Sequence, residues 1–182
     1  MKIASLLVLS AAVVCDLPTA QEAPLPERFS RFAGFTLWQS SLSDVAAAIG
    51  PSRPVHSGDS ATSYTRLCYR AGKAFVTFAS GEMGGGQLLE SVVLSLTPPD
   101  IACAIPRNTS PFAKLEIDGL WLGMSMAQFK EAVPVPAKWK GARADFHYVL
   151  SSDAKAKTVV NGAGTFRSGK AVWLFINRNE QE

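Results

Sequence analysis

The chain has 182 residues, 47% of them hydrophobic and 18% charged, with 18 Lys and Arg against 15 Asp and Glu. That composition supports a folded core and excludes a disordered acidic or basic tail. The cations are spread along the chain, and no run reaches the density of a nucleic-acid footprint.

Lys2 followed by the apolar run Ile3 to Val14 has the charge and length of a secretory signal peptide, with cleavage after Ala20. The run is shorter than the roughly 17 to 25 residues needed to span a membrane. Cys15 offers a second reading, as a lipidated first residue, but Val14 before it is larger than lipoprotein processing prefers. Residues 1–20 are therefore read as a signal and the mature chain as periplasmic or secreted, without a transmembrane span. Its remaining cysteines are Cys68 and Cys103. In an oxidising compartment such a pair defaults to a disulfide, worth on the order of 4 kcal/mol for a loop of this length.

Residues 21–33, with Pro24 and Pro26, read as an N-terminal tether. A first unit follows over 34–96. Ser41 or Ser43 can cap a short helix to Ile49, with Leu42, Val45 and Ile49 on one face and Gly50-Pro51 as its stop. Ser52 to Ser60 reads as a polar, turn-rich stretch. Strands are expected near 62–70, 74–80 and 88–96, the first two joined tightly at Gly72 and the last two loosely across Gly81 to Gln87. Residues 97–117 form a linker carrying Cys103. The second unit, 118–182, repeats the plan: a helix capped by Ser125 and ended by Pro134, then strands near 144–151, 157–166 and 171–178.

The repetition runs at a constant offset of 84. It pairs Ser41 with Ser125, Leu42 with Met126, Val45 with Phe129, Tyr64 with Tyr148, Phe75 with Val159 and Val92 with Ile176. The fold class is α+β: two tandem similar units, each a short helix packed on a three- or four-stranded antiparallel sheet. One such unit alone buries too little surface to be robust, so the two are expected to pack together. Val172 to Ile176 is too continuously apolar for a strand with one wet face, which implies cover by the other unit or by a partner.

Gly119, Gly123, Met124, Ser125 and Phe129 form a Gly-x-x-x-Gly-Met-Ser-x-x-x-Phe pattern. With the helix stop and antiparallel strands after it, this resembles the small envelope domains of the SmpA/OmlA type and the tandem architecture of β-lactamase inhibitor proteins. The resemblance implies a non-enzymatic envelope protein that works by binding another protein. Gly123 would then precede the cap, Ser125 would be the cap and Phe129 the apolar anchor. The first unit keeps Ser41, Val45 and Gly50, with Gln39 where the glycine before the cap would stand.

Among candidate sites, Gly84 to Gly86 lack the Lys-Ser/Thr ending of a phosphate loop and read as a hairpin tip. Glu82 and Met83 beside them could form a partner-binding edge. Trp139 and Arg143, in what reads as a basic exposed loop from Lys138 to Arg143, are the other partner-binding candidates, since Trp and Arg anchor many interfaces. Trp38 and Trp121 read as core packing near the helix starts. His147 reads as a surface imidazole opposite inward-facing Phe146 and Tyr148, and Glu116, Asp118 and Glu131 as solvated carboxylates.

The leading functional expectation is an exported, non-enzymatic protein-binding or inhibitor module, whose partner is an envelope protein or an exported enzyme. No cofactor, metal or nucleic acid is expected. A structural outer-membrane assembly component is the near alternative. The alternative from another class is a small exported hydrolase built from His56, Asp59 and Ser57 or Ser60.

Overall fold

A computed structural model describes residues 28–59, 63–81, 86–152 and 157–181. In each half a two-stranded ribbon leads into a helix, and four strands follow. The first half comprises β1 (Arg31–Phe32), β2 (Phe35–Thr36), α1 (Leu42–Ile49), β3 (Val55–Ser57), β4 (Tyr64–Ala71), β5 (Ala74–Gly81) and β6 (Ser91–Ser95). The second comprises β7 (Glu116–Ile117), β8 (Leu120–Trp121), α2 (Met126–Ala132), β9 (Lys138–Lys140), β10 (Arg143–Ser152), β11 (Lys157–Arg167) and β12 (Lys170–Gln181). The α+β architecture of two similar units is thus present, with its two sheets fused into one of eight strands, ordered β3-β4-β5-β6-β12-β11-β10-β9.

Both helices start on the same device. The Asp44 amide donates to Ser41 Oγ at 3.1 Å, and the Ser41 amide donates to the Asp44 carboxylate at 2.7 Å. Ser125 and Gln128 repeat this at 3.2 and 2.8 Å. Two otherwise orphaned N–H groups are satisfied at each start. The hydrogen bonds from Ser41 hold the Asp44 carboxyl below its usual range.

The fusion is two-fold. Antiparallel β6 and β12 place Val92 opposite Ile176, Ser91 opposite Asn177 and Val93 opposite Phe175. Val92 and Ile176 are 84 apart, so each is the repeat of its own neighbour and a local two-fold axis passes between them. The next strands keep that offset, with Phe78 facing Val92 and Gly162 facing Ile176. Further out it changes. Tyr69 faces Val76 and Tyr148 faces Val160. The two valines are 84 apart, so the equivalent tyrosines are Tyr69 and Tyr148, only 79 apart. The pairing of Tyr64 with Tyr148 is therefore corrected: Tyr64 is 38% exposed, whereas Tyr148 is buried. The β3–β4 loop is longer than the two-residue β9–β10 turn, whereas the β4–β5 turn is shorter than the β10–β11 connection. These differences nearly cancel, which restores the offset beyond them.

Strand alternation gives the sheet two faces. Leu67, Tyr69, Val76, Phe78, Val92 and Leu94 share one face with Phe146, Tyr148, Val160, Leu174 and Ile176, and all are buried in a single core. Both helices stand on this side. Leu42, Val45 and Ile49 of α1 are buried there, and Phe129 of α2 lies 6.0 Å from Phe146 and 5.4 Å from Phe166. The core also crosses between the halves. Phe29, ahead of the first ribbon, meets Phe146 of the second unit at 5.5 Å, and the Tyr148 hydroxyl donates to the Arg28 carbonyl at 2.8 Å. Reciprocally, Phe112, ahead of the second ribbon, meets Tyr69 of the first unit at 6.1 Å.

Cys68 and Cys103 are disulfide-bonded, as the cysteine count implies. Beside the bridge, the Ala104 amide donates to the Cys68 carbonyl and the Arg70 amide to the Ala104 carbonyl, both at 2.9 Å. The linker is thereby laid along the β4 edge that the short β3 leaves uncovered. Among the described residues, no helix is long and apolar enough to cross a membrane. The signal segment and Cys15 lie outside the described residues.

Two tests follow from this packing. A Cβ on Gly162 would stand 2.2 Å from Phe146 Cζ, so Gly162→Ala should cost about 2 kcal/mol of stability in denaturant unfolding. Burial raises the Tyr69 and Tyr148 phenols to about 12, against about 10 in an unfolded chain. Their neutral forms therefore stabilise the fold fully below about pH 10, and that contribution fades as pH rises towards 12. Stability measured across this window should fall, and Tyr69→Phe with Tyr148→Phe should flatten the fall.

Candidate binding face

Among the described residues, the second face of the sheet carries no helix. At its centre β12 turns Trp173 and Phe175 outward, their rings 5.9 Å apart and nearly parallel at 15°. Both are half-buried among lower neighbours, Ser95 and Val93 on β6 and Thr165 and Ala163 on β11. The aromatic pair is a ridge with a hollow on either side. The first hollow, about 450 Å³, lies over β4 to β6 and has a floor of small side chains, Thr77, Ala79 and Ser91. The second, about 240 Å³, lies over β10 and β11 beside Asp145, His147 and Asn161. Phe175 lines both.

Each flank of the face ends in a guanidinium–carboxylate pair against an aromatic ring. Arg66 donates to Asp100 at 2.8 and 3.2 Å and to Ser57 Oγ at 3.2 Å, with its guanidinium carbon 5.0 Å from the Tyr64 ring centre. Hydrogen bonding and charge from Arg66 hold the Asp100 carboxyl below its usual range. Among the described residues, Arg66 Nε is buried without a hydrogen-bond partner. On the other flank, Arg143 pairs with Asp145 at 2.8 Å and lies 5.2 Å over the Trp173 ring. At the end of the first hollow, Glu90 lies against Gly81, and burial raises its carboxyl above the ordinary range.

The residues singled out in the sequence fall in different places. Arg143 lies on the open face. Trp139 does not lie in an exposed loop: Lys138–Lys140 is the edge strand β9, and alternation turns Trp139 towards the helices. Its indole is half-buried, 6.2 Å from Phe129 and 5.5 Å from Phe166, with Lys130 Nζ 5.2 Å over the ring. Glu82 and Met83 lie outside the described residues, as does Ser60. Ser52 to Ser60, read as turn-rich, contains the strand β3.

The hydrolase constellation is not assembled among the described residues. His56 Nδ1 is 2.8 Å from Thr65 Oγ1, whereas its strand neighbour Ser57 points to the opposite face and accepts from Arg66. His147 is exposed between buried Phe146 and Tyr148, as alternation predicts. Trp38 is half-buried and its indole N–H donates to the Arg178 carbonyl, while Trp121 is 37% exposed. Glu116 pairs with Lys114 at 2.8 Å, and Glu131 is exposed. Asp118 accepts an Arg28 hydrogen bond through its carbonyl. Among the described residues, no three His, Cys, Asp or Glu side chains cluster closely enough to hold a metal ion.

Trp173 and Phe175 are not among the candidate residues that the sequence singles out. The signal was present in the apolar run Val172 to Ile176, which demands cover on both faces of its strand. The first unit does not supply that cover, because it lies beside the second in the same sheet.

No protein-family model matches the chain, and no curated protein matches it. Among solved structures, a candidate β-lactamase inhibitor protein from Streptococcus mutans aligns with 79% of this chain and 83% of its own. The identity is 10% and the TM-score 0.28, a level of likeness that decides neither family nor function.

The packing of Trp139 has a measurable consequence. Trp139→Ala should lower stability by about 2 kcal/mol through lost contact with Phe129 and Phe166, read by thermal or denaturant unfolding. A variant as stable as the parent would show that the indole packs on nothing that matters.

Proposed function

We propose that this is an exported, non-enzymatic binding protein that holds another protein, an envelope protein or exported enzyme, on the open face of its sheet. The observation that carries the reading is the Trp173–Phe175 ridge. A wet sheet face normally alternates to polar residues, yet this one places two stacked aromatics at its middle, between two hollows. Aromatic and arginine side chains at the centre of a patch are the usual anchors of protein interfaces. Arg143, stacked on Trp173, belongs to the same surface. Trp139 supports it from the far side of β9. Glu82 and Met83 follow directly on Gly81, which lines the first hollow, and remain part of the proposed contact.

The test is capture from an envelope extract on the immobilised mature chain. One specific protein should be retained, and Phe175→Ala should weaken its retention about tenfold or more, the scale of an interface anchor. Thermal unfolding should show that variant still folded at the temperature of capture, so that lost retention reports the face and not unfolding. Trp139→Ala, studied where it remains folded, should still retain the partner. Undiminished capture by Phe175→Ala would remove the open face from the interaction.

A further inference from the structure

The two-fold scaffold makes the two flanks of the open face comparable position by position, and their charges differ. Val55 faces Arg66 and Lys138 faces Asp145. Arg66 and Asp145 are equivalent in the repeat, because each stands one position before an equivalent buried pair, Leu67 and Phe146. Val55 and Ser57 of β3 therefore correspond to Lys138 and Lys140 of β9. Among the described residues, on the first flank the open face carries Arg66, neutralised by Asp100, and, four positions further along β4 beside the turn, the exposed Arg70. On the second it carries Lys138, Lys140 and Arg143 against the single carboxylate of Asp145. Both lysines are exposed on the strand edge. They point to the same face as the hollows, because Trp139 between them points to the other.

We propose that the partner is an acidic protein, which sets carboxylates on the Lys138–Lys140–Arg143 strip while an apolar group fills the first hollow. This rests on the open-face reading above and adds the partner's chemistry and orientation to it. Same-face residues two apart on a strand are about 7 Å apart, inside the Debye length of about 8 Å at physiological salt. The lysines therefore act as one field. A neutral aromatic half beside a cationic half admits a partner in one orientation only, so the complex holds one partner per chain. The strip is short and adjoins an apolar ridge, unlike the extended basic track that nucleic acid requires.

Rim charges act mainly on the rate of encounter, buried anchors on the rate of escape. With the captured partner, Lys138→Glu combined with Lys140→Glu should slow association about tenfold and reduce its salt dependence, leaving dissociation nearly unchanged. Phe175→Ala should instead speed dissociation. A charge-reversed variant that associates at the parental rate, while Phe175→Ala still speeds dissociation, would overturn the acidic partner and leave the open-face reading standing. The reverse pattern would retain the cationic strip and remove the aromatic ridge. An independent arm needs no captured protein. Deca-glutamate titrated into the isotope-labelled mature chain should shift amide resonances confined to β9 and the start of β10, and about 0.5 M salt should abolish the shifts. Shifts spread over Lys73, Lys114 and Lys170, no shifts at all, or tighter binding of an oligonucleotide on the same strip would each refute the proposal.

Discussion

Five residue pairs between β6 and β12 join the halves of this protein, and the rest of the architecture depends on them. Each four-stranded unit would otherwise end in an open apolar edge, with unpaired backbone groups along a strand as hydrophobic as Val92 to Leu94. Exposed edges of that kind recruit other chains. Pairing the two edges with each other satisfies both and, among the described residues, leaves the three-residue strands β3 and β9 at the rims. It also sets both helices on one side, because antiparallel two-fold pairing keeps equivalent faces together. Trp173 and Phe175, which would have flanked an edge, become the middle of an eight-stranded surface.

The repeat is most alike on the helix side of the sheet. Val92 and Ile176, Val76 and Val160, and Tyr69 and Tyr148 are equivalent and similar, since each fills the same space beneath a helix. Even the exception obeys volume. Leu67 beside Phe78 in the first unit becomes Phe146 beside Gly162 in the second, so the ring has moved one strand over. On the open side the equivalents are unlike: Ser91 answers to Phe175, Val93 to Asn177 and Arg66 to Asp145. Core positions are bound by packing density, whereas a solvent face is free to differ. Here the difference yields a ridge, two unequal hollows and a charged flank.

Much of the scaffold was legible in the sequence because its signals are local. Ser41 and Ser125 announce the two helix starts, Gly50 and Pro134 their ends, and the surviving cysteine pair its bridge. Less was legible where the information lies in pairing. Strands of three residues such as β3 and β9 carry no periodicity of their own and exist because a longer neighbour offers them a partner. Trp139 looked exposed because its neighbours are lysines, yet alternation in an edge strand separates the three side chains onto opposite faces. The ungapped repeat misaligned Tyr64 with Tyr148 because two loop differences of opposite sign hide each other. The apolar run at Trp173 and Phe175 was visible, but the face it left open depended on how the units join, side by side rather than stacked.

The crossed lead-ins give the chain a topology that differs from two beads in sequence. Phe29 of the first half completes the core of the second, and Phe112 of the second completes the core of the first. A single half, cut free, would lack its own keystone and carry its neighbour's. The disulfide adds a covalent crossing, because Cys103 lies beyond β6 on the way to the second ribbon yet is tied back to β4. A break in the backbone between Ser95 and Cys103 would therefore leave two interlocked pieces still joined through sulfur. The linker is less a hinge between domains than a clasp, and the two units rise or fall together as one cooperative body.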